Sequence, residues 1–138
     1  MYFSLPQEYR VASAEDLKNR INNARARLGS KLCILAHHYQ RIEVVAFSDH
    51  VGDSWGLSKI AAERKDADYI VFCGVHFMAE SADILTAEHQ RVYLPNPLAG
   101  CPMADMAEMA DVLAAWEYLA PLGGEKKIMP VSYMNTTA

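Results

Sequence analysis

Three short runs that suit buried strands, residues 32–36, 69–72 and 91–94, recur along this chain with helix-patterned segments between them, and a fourth follows at residues 127–133. Runs of this length are typical of strands covered on both faces. A helix between each successive pair makes the pairing parallel, because an antiparallel pair needs only a turn. The pattern therefore predicts an α/β fold, a three-layer αβα sandwich around a four-stranded parallel sheet. At 138 residues and 51% apolar, the chain is the size of one such domain.

The helices carry their own punctuation. Ser13 followed by Asp16 resembles a capping box, and Leu17, Ile21, Ala24 and Leu28 recur at helical spacing until Gly29. Residues 1–30 thus read as a helical segment ahead of an α/β domain over 31–138. Further helices are expected over 43–51, from an N-cap at Ser54 with Leu57, Ile60 and Ala61 on one face, over 77–85, and over 103–119 until Gly123-Gly124. Met103, Met106 and Met109 read as core packing on the last of these.

Several function classes lose support. The formal net charge of −4 contains no basic run, so nucleic acid and acidic membranes find no electrostatic footing. The longest apolar run, residues 69–75, is too short to span a bilayer, and the start lacks a basic stretch followed by an apolar one, which reads as a soluble cytoplasmic chain. Three irregularly spaced cysteines make no disulfide framework and contain no C-x-x-C. Neither G-x-G-x-x-G nor a P-loop occurs.

In a parallel sheet, ligands bind beyond the carboxyl ends of the strands. The candidate site therefore collects from residues 37–40, 74–80, 95–101 and 133–135. Cys33 and Cys73, on or at the end of strands, read as packing residues. Cys101 differs: with Pro102 at the first helical position it becomes an N-cap, where the helix dipole favours the thiolate that binds metals or attacks electrophiles. His37 and His38, adjacent in extended chain, point apart, so at most one faces the site. A helix start at Ser54 is a ready anion site. "GDSW" at residues 52–55 also invites a serine-hydrolase reading, but that needs a preceding strand and a D-x-x-H pair, and the sequence displays neither. A non-enzymatic α/β interaction module is the other alternative.

Five ordered blocks, "LAHHYQ", "VGDSWGLS", "FCGVHFMAE", "GCPMADM" and "SYMNT", together resemble the first domain of the quinolinate synthases, with Trp55 where leucine is usual and Met134 where valine is usual. The resemblance implies an enzyme of three similar α/β domains that condenses iminoaspartate with dihydroxyacetone phosphate to quinolinate in NAD biosynthesis, with iminoaspartate channelled from an aspartate-oxidising enzyme. It implies a four-iron four-sulfur cluster held by one cysteine per domain, here Cys101, with one iron left open as a Lewis acid. It assigns proton transfer to Tyr39, substrate binding and catalysis to His37, carboxylate contact to Ser54, and the holding of dicarboxylate to Tyr133 and Asn135. Phe77, Met78 and Glu80 become supports of the pocket. It further implies that this chain is an amino-terminal fragment lacking the second and third domains, and inactive alone.

Overall fold

The computed structural model describes residues 5–123 and 128–137. A short helix α1, Gln7–Arg10, precedes α2, Ala14–Leu28. The Ser13 hydroxyl accepts from the Asp16 N–H at 3.1 Å to start α2. Gly29 stops it at φ +56°, a left-handed value that a side chain would oppose. Strands β1, Leu32–His37; β2, His50–Gly52; β3, Tyr69–Cys73; and β4, Arg91–Tyr93 form a wholly parallel sheet in the order β2-β1-β3-β4. Between and after them lie α3, Ile42–Val45; α4, Ser54–Glu63; α5, His76–Leu85; and α6, Met109–Leu119.

The strand order places the helices. From β1 the chain steps one way to β2 and then returns across β1 to β3 and β4. Right-handed crossovers therefore put α3 on one face of the sheet and α4 with α5 on the other. On that second face, Cys33, Leu35, Ile70 and Phe72 alternate toward Leu57, Ala61, Phe77, Met78 and Ala82, and all are buried. Each large side chain so covered contributes about 1.5–3 kcal/mol. The opposite face is covered by α2 and α3, which leave an apolar cleft of about 470 Å³ against Ile34 and Val71.

Four expectations are corrected. Residues 43–51 are not one helix: α3 stops at Val45, the Ser48 hydroxyl bonds the Val45 carbonyl at 2.7 Å, and β2 follows. Asp49 makes that turn. Its N–H donates to the Ile34 carbonyl and its carboxylate accepts from the Ile34 N–H, both at 2.7 Å, while Arg25 Nη2 approaches it at 2.6 Å. Of the run 127–133, Lys127 lies outside the described residues, as does Gly124, and residues 128–133 form no strand and do not enter the sheet. The fourth strand is β2 instead. The helix over 103–119 is broken into a 3₁₀ turn, Ala104–Met106, and α6, and Met103, Met106 and Met109 are 54%, 78% and 65% exposed rather than core. Finally, Asp53, not Ser54, caps α4.

At the amino ends of the strands, polar groups bind one another. Buried Gln90 accepts from the Ala87 N–H and donates to the Arg64 and Ala67 carbonyls, each at 3.0 Å. Arg64 pairs with Asp66 at 3.0 Å, and Lys31 with Asp68 at 3.2 Å.

Candidate functional site

The reversal of direction at β1 is a topological switch point, and the crevice beyond the ends of β1 and β3 is where such a sheet takes a ligand. The larger apolar cleft under α2 lacks the convergent polar groups that orient a substrate. A cleft of about 220 Å³ at the strand ends is lined by Gln40, Cys73, Gly74, Val75, Asn96 and Ala99.

His37 ends β1, opposite Gly52 of β2, and is only 6% exposed. The Tyr39 N–H donates to His37 Nδ1 in a long bond of 3.5 Å, which leaves the proton of a neutral imidazole on Nε2. The Tyr39 ring lies over the imidazole, centroids 3.9 Å apart. His38 does not point away as extended chain would require. It has left the strand for a turn, and its ring sits 4.2 Å from that of His37, while its N–H and Nδ1 meet the Gly52 carbonyl at 3.1 and 3.2 Å. Burial, and next the neighbouring His38, hold the His37 imidazole below its usual range, and Asp53 opposes them. His37 is therefore neutral at pH 7.

Tyr39 is 53% exposed, and its hydroxyl reaches Met78 Sδ at 3.9 Å. Met78 lies in the first turn of α5, and a Cβ on Gly74 would come within 2.9 Å of its sulfur, so glycine leaves room for this side chain. Burial pushes the phenol pKa up, with the Cys101 thiol adding to the effect. Tyr39 thus keeps its proton and serves as a donor.

Cys101 reaches this edge because the preceding loop is tied to α5: the His76 N–H donates to the Ala99 carbonyl at 2.8 Å. Cys101 is not an α-helical N-cap. Its carbonyl accepts from the Ala104 and Asp105 N–H groups at 2.9 and 3.0 Å, opening only the 3₁₀ turn, so the helix dipole invoked for its thiolate is missing. The thiol is half-buried against the core. Cys33 is buried near Arg64, and burial pushes its thiol up to about 11; burial raises that of Cys73 too. Among the described residues, no group of three or more His, Cys, Asp or Glu side chains could hold a metal ion. Cys101 by itself offers a half-buried thiol, a donor of the soft kind that iron prefers.

Ser54 is the first residue of α4 and half-buried. β2 puts the G-D-S block directly after a strand, which corrects one objection to the hydrolase reading. The other stands, since no His or Asp is hydrogen-bonded to the Ser54 hydroxyl among the described residues. Tyr133 is 70% exposed and its carbonyl accepts from Thr136 Oγ1 at 2.8 Å. Asn135 is half-buried, and Met134 between them packs on the core. Ring contacts join His37, His38 and Tyr39, and His38 holds the Gly52 carbonyl just ahead of α4; among the described residues no hydrogen bond or ring contact joins the side chain of Ser54, Cys101, Tyr133 or Asn135 to them. Phe77 and Met78 are buried core, and Glu80 pairs with His76 at 3.3 Å. Asp53 carries the signal of a preferred N-cap, as Ser54 beside it also does, and the structure gives the cap to Asp53. No helix of the described residues is long and apolar enough to cross a membrane.

A family model described as Quinolinate synthetase A protein matches residues 19–138. Among curated relatives named quinolinate synthase, that of Acidobacterium capsulatum is 55% identical over 138 residues, covering 99% of this chain and 35% of the relative. Those of Bacillus pumilus and Geobacillus sp. are 51% and 49% identical over 134 residues, covering 97% of this chain and 36% of each relative. The chain thus spans about a third of the length of the relatives it matches.

Proposed function

Because the chain belongs to the quinolinate synthetase A family, we propose that the complete protein is a quinolinate synthase, condensing iminoaspartate with dihydroxyacetone phosphate to quinolinate, with loss of phosphate and water, in NAD biosynthesis. The observation that supports it best is the ring contact of His37 with Tyr39 at the switch point, centroids 3.9 Å apart. Nε2–H of His37 offers a donor to a substrate carbonyl or carboxylate. The Tyr39 hydroxyl, 3.9 Å from the Met78 sulfur, donates or relays a proton to the condensing substrates. The Ser54 hydroxyl is the contact for a substrate carboxylate, and Tyr133 and Asn135 hold the dicarboxylate. Cys101 is one ligand of a four-iron four-sulfur cluster, the other ligands coming from the rest of the complete protein. Such a cluster, when bound, supplies a Lewis-acidic iron. Iminoaspartate, an unstable imine, is best delivered directly from an aspartate-oxidising enzyme, and the cytoplasm is the compartment that suits such chemistry.

The test is anaerobic reconstitution of the complete protein with iron and sulfide, followed by supply of both substrates and assay of quinolinate. Turnover is expected, with Tyr39→Phe slower by about two orders of magnitude and the cluster absorbance unchanged. A reconstituted protein that makes no quinolinate overturns the reading. Near-normal turnover of Tyr39→Phe returns that residue to packing.

A further inference from the structure

Exposed apolar side chains are unevenly spread over this molecule. Among the described residues, more than half of the large apolar side chains that face water fall between Leu98 and Tyr133, about a quarter of the sequence. Single exposed apolar residues are ordinary on a protein surface; their concentration in one stretch marks a contact. Helix α6 lies at its centre. It buries none of its residues, and Met109, Val112, Leu113 and Trp116 recur at the spacing of a single helical face. Met129 and Val131, in the run that follows, are more exposed still. Nor is this stretch a loose end. Ala104 pins the chain in the core before α6, and Met134 packs on the same core after it.

The sequence patterns Met103, Met106 and Met109 for a core and residues 128–133 for a strand, yet among the described residues this chain covers neither. The matched relatives are longer: the chain spans about a third of their length. We propose that α6 and residues 128–131 are one side of an interface inside the complete protein, its other side being the remaining two thirds of the polypeptide, apolar at the centre and basic at the rim. Charge sets the rim. Residues 98–123 carry Asp105, Glu108, Asp111 and Glu117 and no lysine, arginine or histidine, so cations from outside the segment must match them. The same charge disfavours a second copy, because α6 laid on α6 sets these carboxylates against their own kind. Covalent linkage favours the remaining polypeptide further, since an attached surface meets α6 at a high effective concentration. Because α6 follows Cys101 by little more than the 3₁₀ turn, this interface also registers the remaining polypeptide against the crevice.

The inference goes beyond the reaction assigned to the crevice, and its test needs no turnover. Amide hydrogen exchange, read by mass spectrometry, is compared between the complete protein and this chain. In the complete protein, α6 should exchange at least about 100-fold more slowly than in this chain, while β1 and β3 exchange alike in both. Trp116→Glu in the complete protein should return α6 to the faster rate and leave β1 and β3 protected. If that variant does not fold, Val112→Ser decides, with α6 exchange quickened by about 10-fold. Glu117→Lys should quicken it severalfold at low salt and less at high salt; no salt-dependent change overturns the basic rim. Equal α6 rates in the two proteins overturn the proposal: if both are fast nothing covers the helix, and if both are slow its own domain does. Slow exchange retained in Trp116→Glu overturns it as well. So does protection in the complete protein that is lost on dilution to the monomer, followed by ultracentrifugation, because a second copy is then the cover. A complete protein that protects α6 and makes no quinolinate would keep the interface and remove the proposed function.

Discussion

The two ends of the same strands treat their polar groups in opposite ways. At the amino ends, Gln90 completes three hydrogen bonds inside the core and Arg64, Lys31 and their aspartates pair off. At the carboxyl ends, the His37 ring has one long bond and the Tyr39 hydroxyl faces a thioether. A polar side chain whose bonds are complete stabilises the fold and has nothing left for a ligand. One held by ring contacts and a sulfur keeps its donors for chemistry. Both ends are polar, and only the completeness of bonding separates scaffold from site.

The comparison can be broken by exchanging the effects of the two ends. The largest contrast is expected between cysteines. In the complete protein, Cys101→Ala should abolish cluster absorbance and turnover, whereas Cys33→Ala, toward the amino end of β1, should leave the cluster in place; loss of cluster in both would erase the distinction. Next comes Gln90→Leu, which strands the Arg64 and Ala67 carbonyls and should lower stability by about 2–4 kcal/mol, read by urea unfolding, while the His37 titration stays where it was. Tyr39→Phe should do the reverse, leaving urea stability within about 1 kcal/mol because a half-exposed hydroxyl facing sulfur loses little.

A smaller effect sharpens the contrast through pH. His37 binds its proton less readily folded than unfolded, so stability is complete above its ordinary 6.5 and declines as pH falls below it. Cys33, pushed from 9.0 up to about 11, holds its proton more tightly folded, so stability is complete below 9.0 and declines as pH rises toward 11. Cys33→Val should flatten only the alkaline decline. The least effect belongs to the exposed Lys31–Asp68 pair: Lys31→Ala should change stability by about 0.5 kcal/mol or less.

The elements legible in the sequence were those whose cause is local. β1, β3 and β4 are continuous runs, and α2 announces itself by Ser13 and Gly29, so their bounds fall within a residue or two of expectation. β2 was not legible because its three residues, His50, Val51 and Gly52, carry no apolar pattern; what makes them a strand is the clasp of Asp49 on Ile34, a contact across 15 positions. Residues 128–133 fail in the opposite sense, having a strand's composition without a neighbouring strand to pair with in this sheet. The same division holds at the site. His37, Tyr39 and Ser54 could be named because strand ends and helix starts predict where side chains collect. Asp53, the true cap of α4, was as legible as Ser54, since both residue types favour the cap and only the folded backbone chooses between neighbours.

Helix α6 buries none of its eleven residues, and Val112, Leu113 and Trp116 face water. An isolated helix of that length is marginal in water, and its melting uncovers little new apolar surface, so in this chain it adds almost nothing to the heat capacity of unfolding. Calorimetry and circular dichroism should therefore part company. The sheet with α4 and α5 gives a single heat-absorption peak, while ellipticity drains away gradually at temperatures well below it, and Trp116 reports the early loss.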